Sequence, residues 1–202
     1  MAATIIVIAH PQQCQALRLP EQRDGLAKLP EADLVEKIKQ ASSLVISKSE
    51  VDEWTREMTR LSFWIADLFA KGLGRNNRPF SWMLGRICFY GNFYPRCRDP
   101  YCRIVGFQPH TDPCLFSILL QDDSGGLKGL YNKNWYEIRP VRGALVIFVG
   151  DLMEILPDGV YESGIHYVKT YTCARPRVSV LQTFSQVSKM QSVRRSLRVA
   201  YL

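Results

Sequence analysis

The sequence predicts helices to about residue 75 followed by an all-β sandwich or jelly-roll of about eight strands. Two changes of texture carry that reading. Val51, Trp54, Met58, Leu61, Ile65 and Leu68 recur at the spacing that stacks side chains along one helical face. After Asn77-Arg78-Pro79, short β-branched and aromatic runs alternate with turn residues at intervals of roughly 8 to 14 positions, as antiparallel strands do. The 202 residues and 23.1 kDa suit a single domain with a real core.

Taken in order, the first 29 residues hold no sustained period, and one short strand is expected near Ile5–Ile8. Pro30-Glu31-Ala32-Asp33 reads as a helix start, with Leu34, Ile38, Ala41 and Val45 on one face. Ser47-x-x-Glu50 fits a capping box, whose two side chains satisfy otherwise unpaired backbone N–H groups, and Gly72 or Gly74 ends the helix that follows. Its Trp54, Met58 and Trp64 are read as core packing. Strands are expected at Arg86–Tyr94, Arg103–Phe107, Cys114–Gln121, Trp135–Ile138, Ala144–Val149 and Arg177–Phe184. Gly125-Gly126, Asn132-Lys133-Asn134, Pro140–Gly143 and Pro157-Asp158-Gly159 supply the turns between them.

Composition narrows the function classes. The net charge is +7, but Lys189, Arg194, Arg195 and Arg198 supply four of those charges from a terminal stretch without acids, read as a solvated basic tail. The body therefore lacks the broad basic face of a nucleic-acid reader. No apolar run reaches the ~18 residues of a membrane-spanning helix, and the apolar opening has no basic residues before it, so a cytoplasmic protein is expected. Six dispersed cysteines read as reduced thiols; Cys97-x4-Cys102 lacks the second close pair of a structural zinc site.

The chemistry-bearing residues are few. Of three histidines, two lie in the β region: His110, two positions before Asp112, and His166, far enough on for antiparallel strands to return beside the first. On a strand, side chains at i and i+2 share a face, so His110 and Asp112 could hold one ion. Two imidazoles and one carboxylate make the facial triad of non-haem iron(II), which leaves three coordination positions open. On spacing alone, a structural histidine beside a turn aspartate is the commoner reading.

The wording around the triad overturns that prior. Gly91-Asn92-Phe93-Tyr94-Pro95-x-Cys97, Pro109-His110-Thr111-Asp112-Pro113, Ser117–Asp122, Gly125-Gly126-Leu127, Gly143–Leu156, Gly159-x-Tyr161-x-Ser163-x-x-His166 and Arg177-Val178-Ser179 follow in order. The series resembles the plant-type 2-oxoglutarate and iron(II)-dependent dioxygenases. That resemblance implies a double-stranded β-helix, or jelly-roll, core over residues 86–185, after an N-terminal helical segment 1–85 and before a basic tail 186–202. It implies that His110, Asp112 and His166 bind iron(II), that 2-oxoglutarate chelates the metal, and that Arg177 and Ser179 hold its far carboxylate, with Asn92 and Tyr94 hydrogen-bonding this cosubstrate.

The implied activity is oxidation of a small organic metabolite, by hydroxylation or desaturation, with O₂ as cosubstrate, succinate and CO₂ as co-products and ascorbate as a reductant; no nucleic-acid or membrane partner is implied. Two rivals stand beside it: a non-catalytic jelly-roll binding module or inactive truncated paralogue, and oxygenation without 2-oxoglutarate, as in aminocyclopropane-carboxylate oxidase. The chain also departs from the family pattern. Only about 85 residues precede the core, Tyr167 stands where arginine usually follows the second histidine, and Phe184 sits one step from a familiar aromatic position, a slip that would turn its side chain to the other face.

Overall fold

The structure is a computed structural model that describes residues 4–8, 16–18, 48–75, 80–95, 105–169, 176–186 and 194–199, with backbone alone for the first two segments and the last. The expected helix at residues 30–45, the Ser47 cap and Cys97 lie outside them.

One long helix, α1 (Lys48–Gly72), carries the predicted stripe from Val51 through Trp54, Met58, Leu61 and Ile65, all buried on one side, but Phe69 continues it in place of the predicted Leu68, which is half-buried. Each large apolar side chain removed from water contributes about 1.5–3 kcal/mol, so the stripe fixes the helix against the β core. A single turn of 3₁₀ helix (Ser81–Met83) then leads into the strands. These are β1 (Thr4–Ile8), β2 (Ala16–Arg18), β3 (Leu84–Tyr94), β4 (Val105–His110), β5 (Phe116–Gln121), β6 (Leu127–Tyr131), β7 (Asn134–Glu137), β8 (Ala144–Val149), β9 (His166–Lys169), β10 (Arg177–Gln186) and β11 (Arg194–Val199). A five-residue helix, α2 (Asp151–Ile155), separates β8 from β9.

The strands form a seven-stranded sheet, in the order β11-β3-β10-β5-β8-β1-β2, and a four-stranded sheet, β4-β9-β6-β7. Strand alternation divides the interior into two layers. Val178, Val180 and Phe184 of β10 and Leu145, Ile147 and Val149 of β8 face α1 and its core. Tyr94, Leu119, Val146 and Phe148 face the smaller sheet, where Leu127 and Val168 complete a second core. Buried on both faces, β8 is apolar at all six positions, and that unbroken run made its bounds legible in the sequence. Asn132 and Lys133 adopt positive φ values of 44° and 64°, the conformation that closes a two-residue hairpin between β6 and β7.

Several expectations need correction. The terminal basic stretch is not wholly a solvated tail: residues 194–199 form β11, paired in parallel with β3. The short strand expected near Ile5–Ile8 is present as β1, which pairs in parallel with β8 and antiparallel with β2, so the segment 1–85 is not only helical. Strands β2, β6 and β9 escaped detection. Finally, β4 ends at His110, so Asp112 lies in the turn beyond it rather than on the strand.

Candidate active site

Antiparallel pairing of β4 with β9 makes His110 and His166 register partners, with ring centroids 4.3 Å apart. The turn after β4 folds Asp112 back between them. Its Oδ1 lies 3.7 Å from His110 Nε2 and 3.9 Å from His166 Nε2, and donor atoms of the three residues all lie within 4.8 Å of one another. Asp112 and His166 are buried, while His110 is half-buried at the rim.

Each imidazole is held in the tautomer a metal needs. A carbonyl oxygen can only accept, so His110 Nδ1–H donates to Gln108 O at 2.7 Å and His166 Nδ1–H to Gly164 O at 2.9 Å, leaving both Nε2 lone pairs free. Phe148 stacks on His166 with centroids 4.0 Å apart, and Phe107 meets His110 edge-on at 4.5 Å. Burial lowers the pKa of His166 from its ordinary 6.5, although Asp112 and the Gly164 carbonyl oppose the shift; the outcome favours the neutral ring. The Ser117 hydroxyl donates to Asp112 Oδ2, which turns Oδ1 toward the imidazoles.

Backbone contacts brace this cluster. The N–H groups of Gly150, Asp151 and Leu152 donate to the carbonyls of Leu115, Asp112 and Cys114 at 2.9, 2.8 and 3.1 Å. A Cβ on Gly150 would land on the Cys114 carbonyl oxygen and within 2.8 Å of that of Asp112, so glycine permits the approach. From the other end of α2, Glu154 Oε2 accepts the Ser163 N–H at 2.6 Å, beside the Gly164 carbonyl that orients His166. The segment 150–154 thus links both histidine-bearing loops.

Arg177 enters the same cavity from β10. Its Nε donates to Gly125 O at 2.8 Å, Nη1 to Ser179 Oγ at 2.9 Å and Nη2 to Gln121 Oε1 at 3.2 Å. Three of five donor hydrogens are used. The guanidinium is buried, which lowers its pKa, and no carboxylate lies within ion-pair distance among the described residues. Tyr94 and the buried Asp122 carboxylate offset that shift only from beyond ion-pair range, and an anionic ligand in direct contact is the natural complement. Tyr94, opposite Arg177 in the β3–β10 register, places its ring 5.2 Å from the guanidinium carbon. Burial raises the Tyr94 pKa, keeping the phenol protonated despite Arg177 and a hydrogen bond to Ser179. Asn92, opposite Ser179, donates from Nδ2 to its Oγ at 3.5 Å.

All seven residues singled out from the sequence, Asn92, Tyr94, His110, Asp112, His166, Arg177 and Ser179, line one cavity of about 420 Å³. Phe184 is on the other face of β10, fully buried against Phe116 in the α1 core. Sequence reasoning missed Ser117, Gln121, Gly125 and Glu154, whose contacts depend on pairing or on loop paths. It also missed Asp122, whose carboxylate clamps the start of β10 through the Val178 N–H at 2.7 Å. The donor set fits iron(II): two imidazoles and one carboxylate converge, and no other such cluster occurs among the described residues.

Comparison with known proteins gives the same picture. Residues 85–185 match the model of the 2OG-Fe(II) oxygenase superfamily. The chain is 34% identical over 135 residues to 1-aminocyclopropane-1-carboxylate oxidase homolog 1 of Arabidopsis thaliana, covering 66% of this chain and 36% of that protein. It is 39% identical over 117 residues to gibberellin 20 oxidase 2 of Oryza sativa subsp. indica, covering 56% and 30%. The chain thus spans about a third of the length of these relatives. Among solved structures, a full-length Neurospora crassa protein in complex with alpha-KG and 5-formyluracil superposes with a TM-score of 0.61 at 20% identity, covering 71% of this chain and 50% of that one. JOX2 in complex with 2OG, Fe and JA superposes with a TM-score of 0.60 at 25% identity, covering 73% and 44%. The fold is therefore the jelly-roll of these oxygenases.

Proposed function

Because the chain belongs to the 2OG-Fe(II) oxygenase superfamily, we propose that it is a 2-oxoglutarate- and iron(II)-dependent dioxygenase that hydroxylates or desaturates a small organic molecule. One observation carries the reading: a convergent His-Asp-His cluster and a buried guanidinium with no ion-pair partner among the described residues border the same cavity. In it, His110, Asp112 and His166 hold the metal, while Arg177 and Ser179 take the far carboxylate of 2-oxoglutarate, with Asn92 and Tyr94 beside them.

Bound iron(II) supplies O₂ activation coupled to decarboxylation of 2-oxoglutarate to succinate and CO₂. The chain's own residues prepare for that chemistry in three ways. The Gln108 and Gly164 carbonyls accept from Nδ1 of each ring and so point Nε2 toward the metal position, and Ser117 aims the Asp112 carboxylate. Arg177 offers two unused N–H donors at a fixed place, so the cosubstrate binds in one orientation. Leu119, Leu127, Phe148 and Val168 line the cavity and keep water from its inner wall.

The test is iron-dependent release of succinate from 2-oxoglutarate, first without and then with candidate substrates. Succinate formation that disappears on chelation supports the reading. Full binding of iron and 2-oxoglutarate without any succinate would favour a non-catalytic binding module.

A further inference from the structure

The cavity has a second polar end that the oxygenase chemistry leaves unused. Arg86, Cys88, Tyr90, Asn92 and Tyr94 of β3, at alternate positions, all border it, as do Arg177, Ser179, Leu181, Thr183 and Ser185 of β10. Register pairs them into five rungs, from Arg177 opposite Tyr94 at the buried end to Ser185 opposite Arg86 at the mouth. Only Arg86 and Arg177 bring a permanent positive charge to the described wall. Arg86 is exposed and makes no ion pair or hydrogen bond with any described residue, while the hydroxyls of Ser185 and Thr183 lie on adjacent rungs. Between the two polar ends the rungs carry Leu181, Tyr90 and Cys88.

Resting on the oxygenase reading above, we propose that the organic substrate is a carboxylic acid with an apolar body, its carboxylate held at the cavity mouth by Arg86 with Ser185 and Thr183. The argument is one of complementarity. Arg177 is claimed at the buried end, so a second anion must find the other cation, and the four residue steps from Arg86 to Tyr90 span about 13 Å of wall, where Cys88, Tyr90 and Leu181 face its body. Held by its acid end at the mouth, such a molecule extends its body inward toward the His110, Asp112 and His166 cluster. Arg86 is then a specificity-determining residue, and neutral analogues of the same shape are discriminated against.

The test uses the full chain loaded anaerobically with iron(II) and saturating 2-oxoglutarate. The probes are 4-phenylbutanoate, 6-phenylhexanoate and 4-cyclohexylbutanoate, each beside its methyl ester, with binding read from tryptophan fluorescence and perturbation of the chelate absorption. At least one acid is expected to bind about tenfold or more tightly than its ester, the scale of a charged hydrogen bond. In Arg86→Gln the preference falls to within about twofold, and in Arg86→Lys much of it survives. Equal binding of acids and esters, no binding of any acid, or an intact preference in Arg86→Gln overturns the inference. Failure of the protein to bind 2-oxoglutarate at all would strike the oxygenase reading instead, because that is read before any probe is added.

Discussion

His110 and His166 are register partners across β4 and β9, and the β ladder itself therefore sets the distance between their rings at 4.3 Å. The carboxylate that completes the cluster comes from outside the ladder. Asp112 depends on a turn, on Ser117 and on the segment 150–152, so the most easily disturbed member of the cluster is the acid.

Ser117→Ala is expected to show this. It removes the hydroxyl that fixes Asp112 Oδ2 and leaves a buried carboxylate short of one donor. Outer partners of metal ligands typically set 10–100-fold in affinity. Iron(II) affinity measured by competition with a chelator should fall about tenfold or more; an unchanged affinity would remove Ser117 from the support of the site.

Gly150→Ala addresses the brace. The added methyl collides with backbone carbonyls of Asp112 and Cys114, which cannot rotate away. A loss of about 1–3 kcal/mol in denaturant unfolding is expected, the usual scale for overpacking, together with weaker iron binding. Wild-type stability and affinity would mean the brace relaxes freely.

Arg177→Ala separates cosubstrate from metal. Loss of the guanidinium should weaken 2-oxoglutarate by about 1.5–3 kcal/mol, roughly 10- to 150-fold, while iron(II) binding without cosubstrate persists. Calorimetry measures both, and retained 2-oxoglutarate affinity would exclude Arg177 from its site.

Acidification tests the buried imidazole. Burial places the His166 pKa below its ordinary 6.5, so the folded metal-free protein binds fewer protons there than the unfolded chain. Its contribution is fully present above about pH 6.5 and is lost as pH falls from there toward the lowered folded value. Urea unfolding from pH 7.5 to 5.5 should show a decline that is shallower in His166→Gln, by at most about 1.4 kcal/mol per pH unit. Identical slopes would mean that His166 is not held neutral.

Much of this was legible in the residues, for identifiable reasons. The stripe of α1 and the apolar run of β8 are extreme patterns, each buried as its period demands. Strand β6 was not, because Lys128 and Gly129 break its pattern, and β9 has only four residues. Strand β11 hid behind three arginines, since a charged run reads as solvated until a neighbouring edge is known to pair with it. Within the site, the ligand types and Arg177 stand out as rare residues in ordered motifs. Gln121, Gly125 and Ser117 do not, because their roles arise from register and turn geometry that spacing alone does not reveal.

The central claim is that His110, Asp112, His166 and Arg177 form one iron and 2-oxoglutarate site. Its most direct test is an anaerobic titration of the protein with iron(II) and 2-oxoglutarate, watching for the weak visible charge-transfer band of the chelate, in wild type and in His166→Ala. The account predicts a saturable band in the wild type and none in His166→Ala, with the far-ultraviolet spectrum of the variant unchanged. No band in the wild type, or an equal band in a folded His166→Ala, would contradict it.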